Sequence, residues 1–136
     1  YSQLKFLLVS CRKLVTLRLW SSSHTVTEPK NLMALSEDGN ALKDVLFTQL
    51  RYFSLADGTF CAPSNRFLYV QNAFKLFENQ PQLHVLRLRR CNRDFIEMVK
   101  AAYLNWKVPH KPFLDLNTPE YVVLVRRNQK GKLYSK

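Results

Sequence analysis

Leu14-Val15-Thr16-Leu17-Arg18-Leu19, Leu50-Arg51-Tyr52-Phe53-Ser54-Leu55 and Leu83-His84-Val85-Leu86-Arg87-Leu88 are three copies of one pattern, with an apolar residue at the first, fourth and sixth positions. Alternation in the second half of each copy is the mark of a short strand with one face in a core and the other facing away. The leading leucines are 36 and 33 residues apart. A pattern that returns every ~20–50 residues is typical of stacked supersecondary units. Such an architecture suits binding better than chemistry.

Between the copies the apolar period changes to that of a helix. Leu4, Leu7, Leu8 and Cys11 form one stripe, and Ala41, Leu42, Val45 and Leu46 a second. Phe67, Val70, Phe74 and Phe77 form the third, with Ser64 or Asn65 available as its N-cap. Gln80-Pro81 stops that helix, since proline disfavours helical backbone at the residue before it. Asn92 can cap a fourth helix whose first turn holds Asp94 and whose inner face is Phe95, Ile96, Val99, Ala102 and Tyr103. Phe113-Leu114-Asp115-Leu116 reads as a degenerate fourth strand, and Tyr121 to Val125 is strongly β-prone. Asn128-Gln129-Lys130-Gly131 is a turn signal, after which residues 132–136 either pair back or form a tail. Helix and strand thus alternate four times. That order predicts parallel strands joined by right-handed crossovers, stacked as a curved solenoid or laid out as an open α/β sheet.

The three leucine segments resemble irregular leucine-rich repeats, and look most like the long repeats of F-box-type proteins. Tyr52-Phe53-Ser54-Leu55-Ala56-Asp57-Gly58 and His84-Val85-Leu86-Arg87-Leu88-Arg89-Arg90-Cys91 carry most of the likeness, with a weaker Leu114-x-Leu116. The position after the strand that usually holds Asn or Cys is matched best by Cys91 or Asn92. The resemblance covers residues 3–116 and implies a short leucine-rich-repeat-like α/β solenoid of alternating helices and parallel strands. Residues 1–120 form that domain, and 121–136 a C-terminal strand and basic tail. No F-box-like segment precedes the repeats, so the likeness implies the recognition part of such a protein.

Composition sets the remaining bounds. The chain has 136 residues, 46% of them apolar, enough for one core. It begins at Tyr1, which suggests a processed product or a fragment. No apolar run, Phe6 to Val9 included, comes near the length needed to cross a bilayer. Cys11, Cys61 and Cys91 are an odd, widely spaced set, favouring reduced thiols and an intracellular location, cytoplasmic or nuclear. The net charge of +11 is uneven. Residues 1–30 carry +4, residues 31–80 carry −1 and residues 81–136 carry +8. The excess is either an ordinary solvated surface or the complement of an acidic partner: an acidic or phosphorylated protein surface, or nucleic acid.

In repeat strands the residues between the leucines share the far face of the sheet. That face collects Arg18, Trp20, Tyr52, Arg87 and Arg89, side chains enriched at interface hot spots. They are the expected protein-binding residues, with the guanidiniums gripping carboxylate or phosphate. A second candidate is the basic segment Arg126, Arg127, Lys130 and Lys132, beside Tyr121 and Tyr134, which could track a nucleic-acid backbone. Catalysis has little to build on. His24, His84 and His110 are scattered, three glycines are too few for a phosphate cradle, and no common catalytic or metal-ligand motif occurs. Only a spatial convergence of Asp57, Asp94, Glu97 and Asp115 would suggest a hydrolase. The expectation is a non-catalytic protein-binding module without cofactor or metal, a recognition or assembly subunit. The alternative is an RNA-binding domain using the basic C-terminal third.

Overall fold

The structure is a computed structural model that describes residues 6–7, 10–20, 49–56, 66–80, 82–128 and 130–134. Its elements are β1 (Thr16–Trp20), β2 (Tyr52–Ala56), α1 (Arg66–Asn79), β3 (Val85–Arg89), α2 (Arg93–Asn105), β4 (Phe113–Asp115) and β5 (Tyr121–Val125). The expected helix at Ala41–Leu46, the cap at Ser64 or Asn65, and Cys61, His24 and Asp57 lie outside the described residues.

β1, β2 and β3 are parallel and neighbour one another in chain order, in the register Thr16–Tyr52–Val85 and Leu17–Phe53–Leu86. The three leucine copies therefore do lie side by side. The solenoid does not follow. The sheet order is β1-β2-β3-β5-β4, and β5 runs antiparallel to both its neighbours. The expected leucine-rich-repeat-like solenoid of parallel strands is replaced by an open, mixed five-stranded sheet carrying α1 and α2.

Two physical features end the repeat. Only residues 116–120 separate β4 from β5, and a link that short returns the chain as an antiparallel neighbour, whereas a parallel return needs a crossover of about a dozen residues. Tyr121-Val122-Val123-Leu124-Val125 also has no polar side; Val122, Val123, Leu124 and Val125 are all buried. A strand apolar on both sides belongs inside a sheet rather than at the end of a stack. The β4–β5 turn is held by the Asp115 carboxylate, which accepts from Asn117 N–H at 3.0 Å, and by Tyr121 N–H donating to Thr118 O at 3.3 Å.

Strand alternation divides the core. On one side of the sheet Leu17, Phe53, Leu55, Leu86, Leu88, Val122 and Leu124 pack with Val70, Phe74 and Phe77 of α1 and Phe95 and Val99 of α2. Trp106 closes this layer, its ring stacked on Phe74 at 4.6 Å and 10°. On the other side Val85, Val123 and Val125 form a smaller buried cluster, flanked by Tyr52, Phe113 and Tyr121. Asn92 caps α2 as its sequence position predicts, its Oδ1 accepting from Phe95 N–H at 2.8 Å. Asn128 likewise organises the last turn, accepting from Lys130 and Lys132 N–H, and the chain pairs back through Arg127 and Leu133. Gly131 occupies the left-handed backbone (φ 78) that this turn requires.

Candidate binding surface

The second face of the sheet is arranged in rows. One runs Thr16, Tyr52, Val85, Val125, Phe113; the next runs Arg18, Ser54, Arg87, Val123, Asp115. A third holds Trp20 beside Ala56, and Arg89 beside Tyr121. Arg18, Trp20, Tyr52, Arg87 and Arg89 thus all share this face, because three parallel strands in matched register send every second side chain the same way.

The arginines are held by aromatic rings. The Arg18 guanidinium lies 5.0 Å from the Tyr52 ring centre. Arg87 and Arg89 both lie over Tyr121, at 4.3 and 5.5 Å, and Arg89 also donates to the Tyr121 hydroxyl at 3.4 Å. Arg90 lies 5.7 Å from the Trp20 ring, and that ring is 69% exposed. Each such pairing contributes ~0.5–1 kcal/mol where solvent reaches it, and fixes an otherwise flexible cation. Between these groups the floor is made of small or apolar buried residues, Ser54, Ala56, Val85 and Val123. Tyr121, which anchors two of the arginines, was not among the expected protein-binding residues. It could be found only by knowing that β5 pairs with β3.

The basic C-terminal residues part company. Arg126 is half-buried and points into the protein. Its Nε donates to Leu83 O at 2.7 Å, its Nη2 donates to Gln80 O at 3.1 Å and to Phe77 O, and the guanidinium lies 4.3 Å from the Phe77 ring. It satisfies carbonyls where α1 ends, the usual place for a cation at a helix C-terminus. Burial lowers its pKa, opposed by the charges of Glu78 and Tyr134. Arg127, Lys130 and Lys132 are exposed on or beside the final turn.

A row of residues at the N-terminal ends of the parallel strands was not anticipated. Arg51 and Tyr52 N–H groups donate to Val15 O, His84 and Val85 N–H groups to Arg51 O, Arg126 N–H to His84 O and Tyr134 N–H to Arg126 O. His84 and Tyr134 stack at 3.6 Å and 9°. On one side of this stack a groove of about 370 Å³ is lined by Arg18, Arg51 and Tyr52. On the other a groove of about 690 Å³ is lined by His110, Lys111, Arg126, Arg127 and Asn128. No carboxylate stands among the described residues lining either groove. Burial, then the charges of Arg51 and Arg126, hold the His84 pKa below its ordinary value. In sequence Val15, Arg51 and His84 share the second position of the leucine pattern, but nothing there places Arg127 beside them.

Of the acids considered for hydrolysis, Asp94 and Glu97 are exposed on α2, whereas Asp115 stands on edge strand β4. Among the described residues no group of three His, Cys, Asp or Glu side chains could hold a metal ion. Burial pushes the Cys91 thiol far above its ordinary pKa, and its Sγ–H donates to Leu88 O at 3.7 Å, a packing role; Cys11 is exposed. Among the described residues no helix is long and apolar enough to cross a membrane. Compared with known proteins, the chain matches no family model, no curated protein and no solved structure.

Proposed function

We propose that this chain is a non-catalytic binding module that receives an acidic protein surface on the second face of its sheet, as a recognition or assembly subunit. The observation that carries the reading is the set of aromatic-held arginines, Arg18, Arg87 and Arg89, arrayed beside the exposed Trp20. An arginine held over a ring loses less entropy on binding a carboxylate than a free one does. A large exposed indole beside such cations supplies the apolar anchor that interface hot spots use.

Affinity capture from an extract of the source organism, after nuclease treatment, tests this with the Trp20→Ala/Arg87→Ala double variant as comparison. The expected result is an acidic protein retained by the natural chain and lost by the variant, with both folded by circular dichroism. Equal retention by the two, or retention abolished by nuclease, overturns it.

A further inference from the structure

The two basic grooves at the strand ends border the strand face, sharing Arg18 and Tyr52 with it, but the inference from them does not depend on the strand-face reading. Adjacent strands are ~4.8 Å apart, so the row from Val15 to Arg126 spans three intervals, roughly 14 Å. Along it the exposed cations Arg18 and Arg51 lie on one side of the His84–Tyr134 stack and Arg127 on the other. A compact acidic side chain would need one such cluster. An elongated track of cations interrupted by a flat aromatic pair fits a ligand with charges repeated along a line and planar groups between them.

We propose that this track binds single-stranded nucleic acid, with Arg51 and Arg127 on successive backbone phosphates and Tyr134 as a platform for a base. Combining a basic groove with ring stacking is the general solution to sequence-tolerant single-strand binding. Three further features fit that use. His84 backs the Tyr134 ring and holds it flat in place. Among the described residues neither groove is lined by a carboxylate, so no fixed negative charge there repels phosphate. Arg126 is occupied with the carbonyls of Phe77, Gln80 and Leu83; it adds positive potential without reaching out.

Fluorescence anisotropy of the full chain with a labelled oligouridylate of about ten nucleotides is the test, across ~50–200 mM salt. Affinity should fall log-linearly with salt. The Arg51→Gln/Arg127→Gln double variant should flatten the slope by about 1.4, since each single-strand phosphate that is no longer neutralised removes ~0.7. Tyr134→Leu should weaken binding about 5-fold or more with the slope kept, as removal of one stacked base predicts. Trp20→Ala should leave binding unchanged, which separates this site from the strand face. If the double variant disturbs the final hairpin by circular dichroism, Arg51→Glu alone serves, with the same direction expected. Salt-insensitive binding, an unchanged slope in the arginine variants, or binding of polyglutamate of equal charge as tight as that of the oligouridylate would each overturn the proposal.

Discussion

The imidazole of His84 and the phenol ring of Tyr134 lie face to face, 3.6 Å apart, although the two residues come from just before β3 and from beyond the turn at Asn128. Arg126 joins them: its N–H bonds to the His84 carbonyl, and its own carbonyl accepts from Tyr134 N–H. Tyr134 is thereby tied to the middle of the sheet, and the stack divides the two basic grooves.

This placement makes stability depend on pH in a definite direction. Burial and the flanking Arg51 and Arg126 lower the His84 pKa in the folded state, while Tyr134 covers the ring. The unfolded chain titrates near the ordinary value of 6.5. Above that value both states hold a neutral ring, and the folded state carries no penalty. As pH falls below it the unfolded chain takes up the proton first, so folding loses free energy until pH passes below the folded-state value. Urea midpoints of the natural chain and His84→Gln, compared from pH 8 to pH 5, should show the natural chain losing more on acidification. A constant difference between the two would contradict the assignment.

Arg126→Ala is expected to cost about 2–4 kcal/mol, because it removes charge-assisted bonds to the carbonyls of Phe77, Gln80 and Leu83 and leaves part-buried acceptors unmet. Arg126→Lys should recover only part of this, since an ammonium cannot reach several carbonyls with one planar fork. Chemical denaturation of the three proteins measures both steps. If lysine restored full stability, the geometry of the guanidinium would be irrelevant.

At the start of α2 the expected effect is smaller. Asn92→Ala removes the acceptor for Phe95 N–H and should destabilise by about 1 kcal/mol, whereas Asn92→Asp should be close to neutral. Thermal unfolding is sufficient to rank them. Alanine as stable as asparagine would mean that this cap contributes nothing.

Arg90 and Glu120 both have left-handed backbone, with φ 59 and φ 65, where β3 and β5 separate. Glu120 is exposed, and what its position contributes is its carbonyl, which accepts from Cys91 N–H at 2.8 Å. Glu120→Gly keeps that bond and relieves a conformation that costs a non-glycine residue about 1–2 kcal/mol, offset by the entropy of an extra glycine. A net gain of about 0.5–1 kcal/mol is expected in the denaturant midpoint. Destabilisation would show that the Glu120 side chain matters in its own right.

Much of the local structure was legible in the residues. Val85–Arg89, the helix from Arg93 and its Asn92 cap, and the turn at Asn128 each follow from a period or a side chain that acts within a few positions. The sharing of one face by Arg18, Tyr52 and Arg87 was legible too, because it follows from three alternating strands once they pair in parallel. The Val122-Val123-Leu124-Val125 run carried a warning that the repeat expectation passed over. Its apolar residues on both sides marked a strand flanked by neighbours, and the short link before it marked an antiparallel return.

The chain's own pattern determined where strands and helices form, which side of each strand is apolar, and that the surplus charge is positive, since those are properties of single residues and of their nearest neighbours along the backbone. The pairing of β5 with β3, the anchoring of Arg87 and Arg89 on Tyr121, the burial of Arg126 under the end of α1 and the meeting of His84 with Tyr134 were decided only in three dimensions. Each joins residues more than thirty positions apart. Such contacts depend on which strand edges remain available once local elements have formed, and no spacing along the chain encodes that.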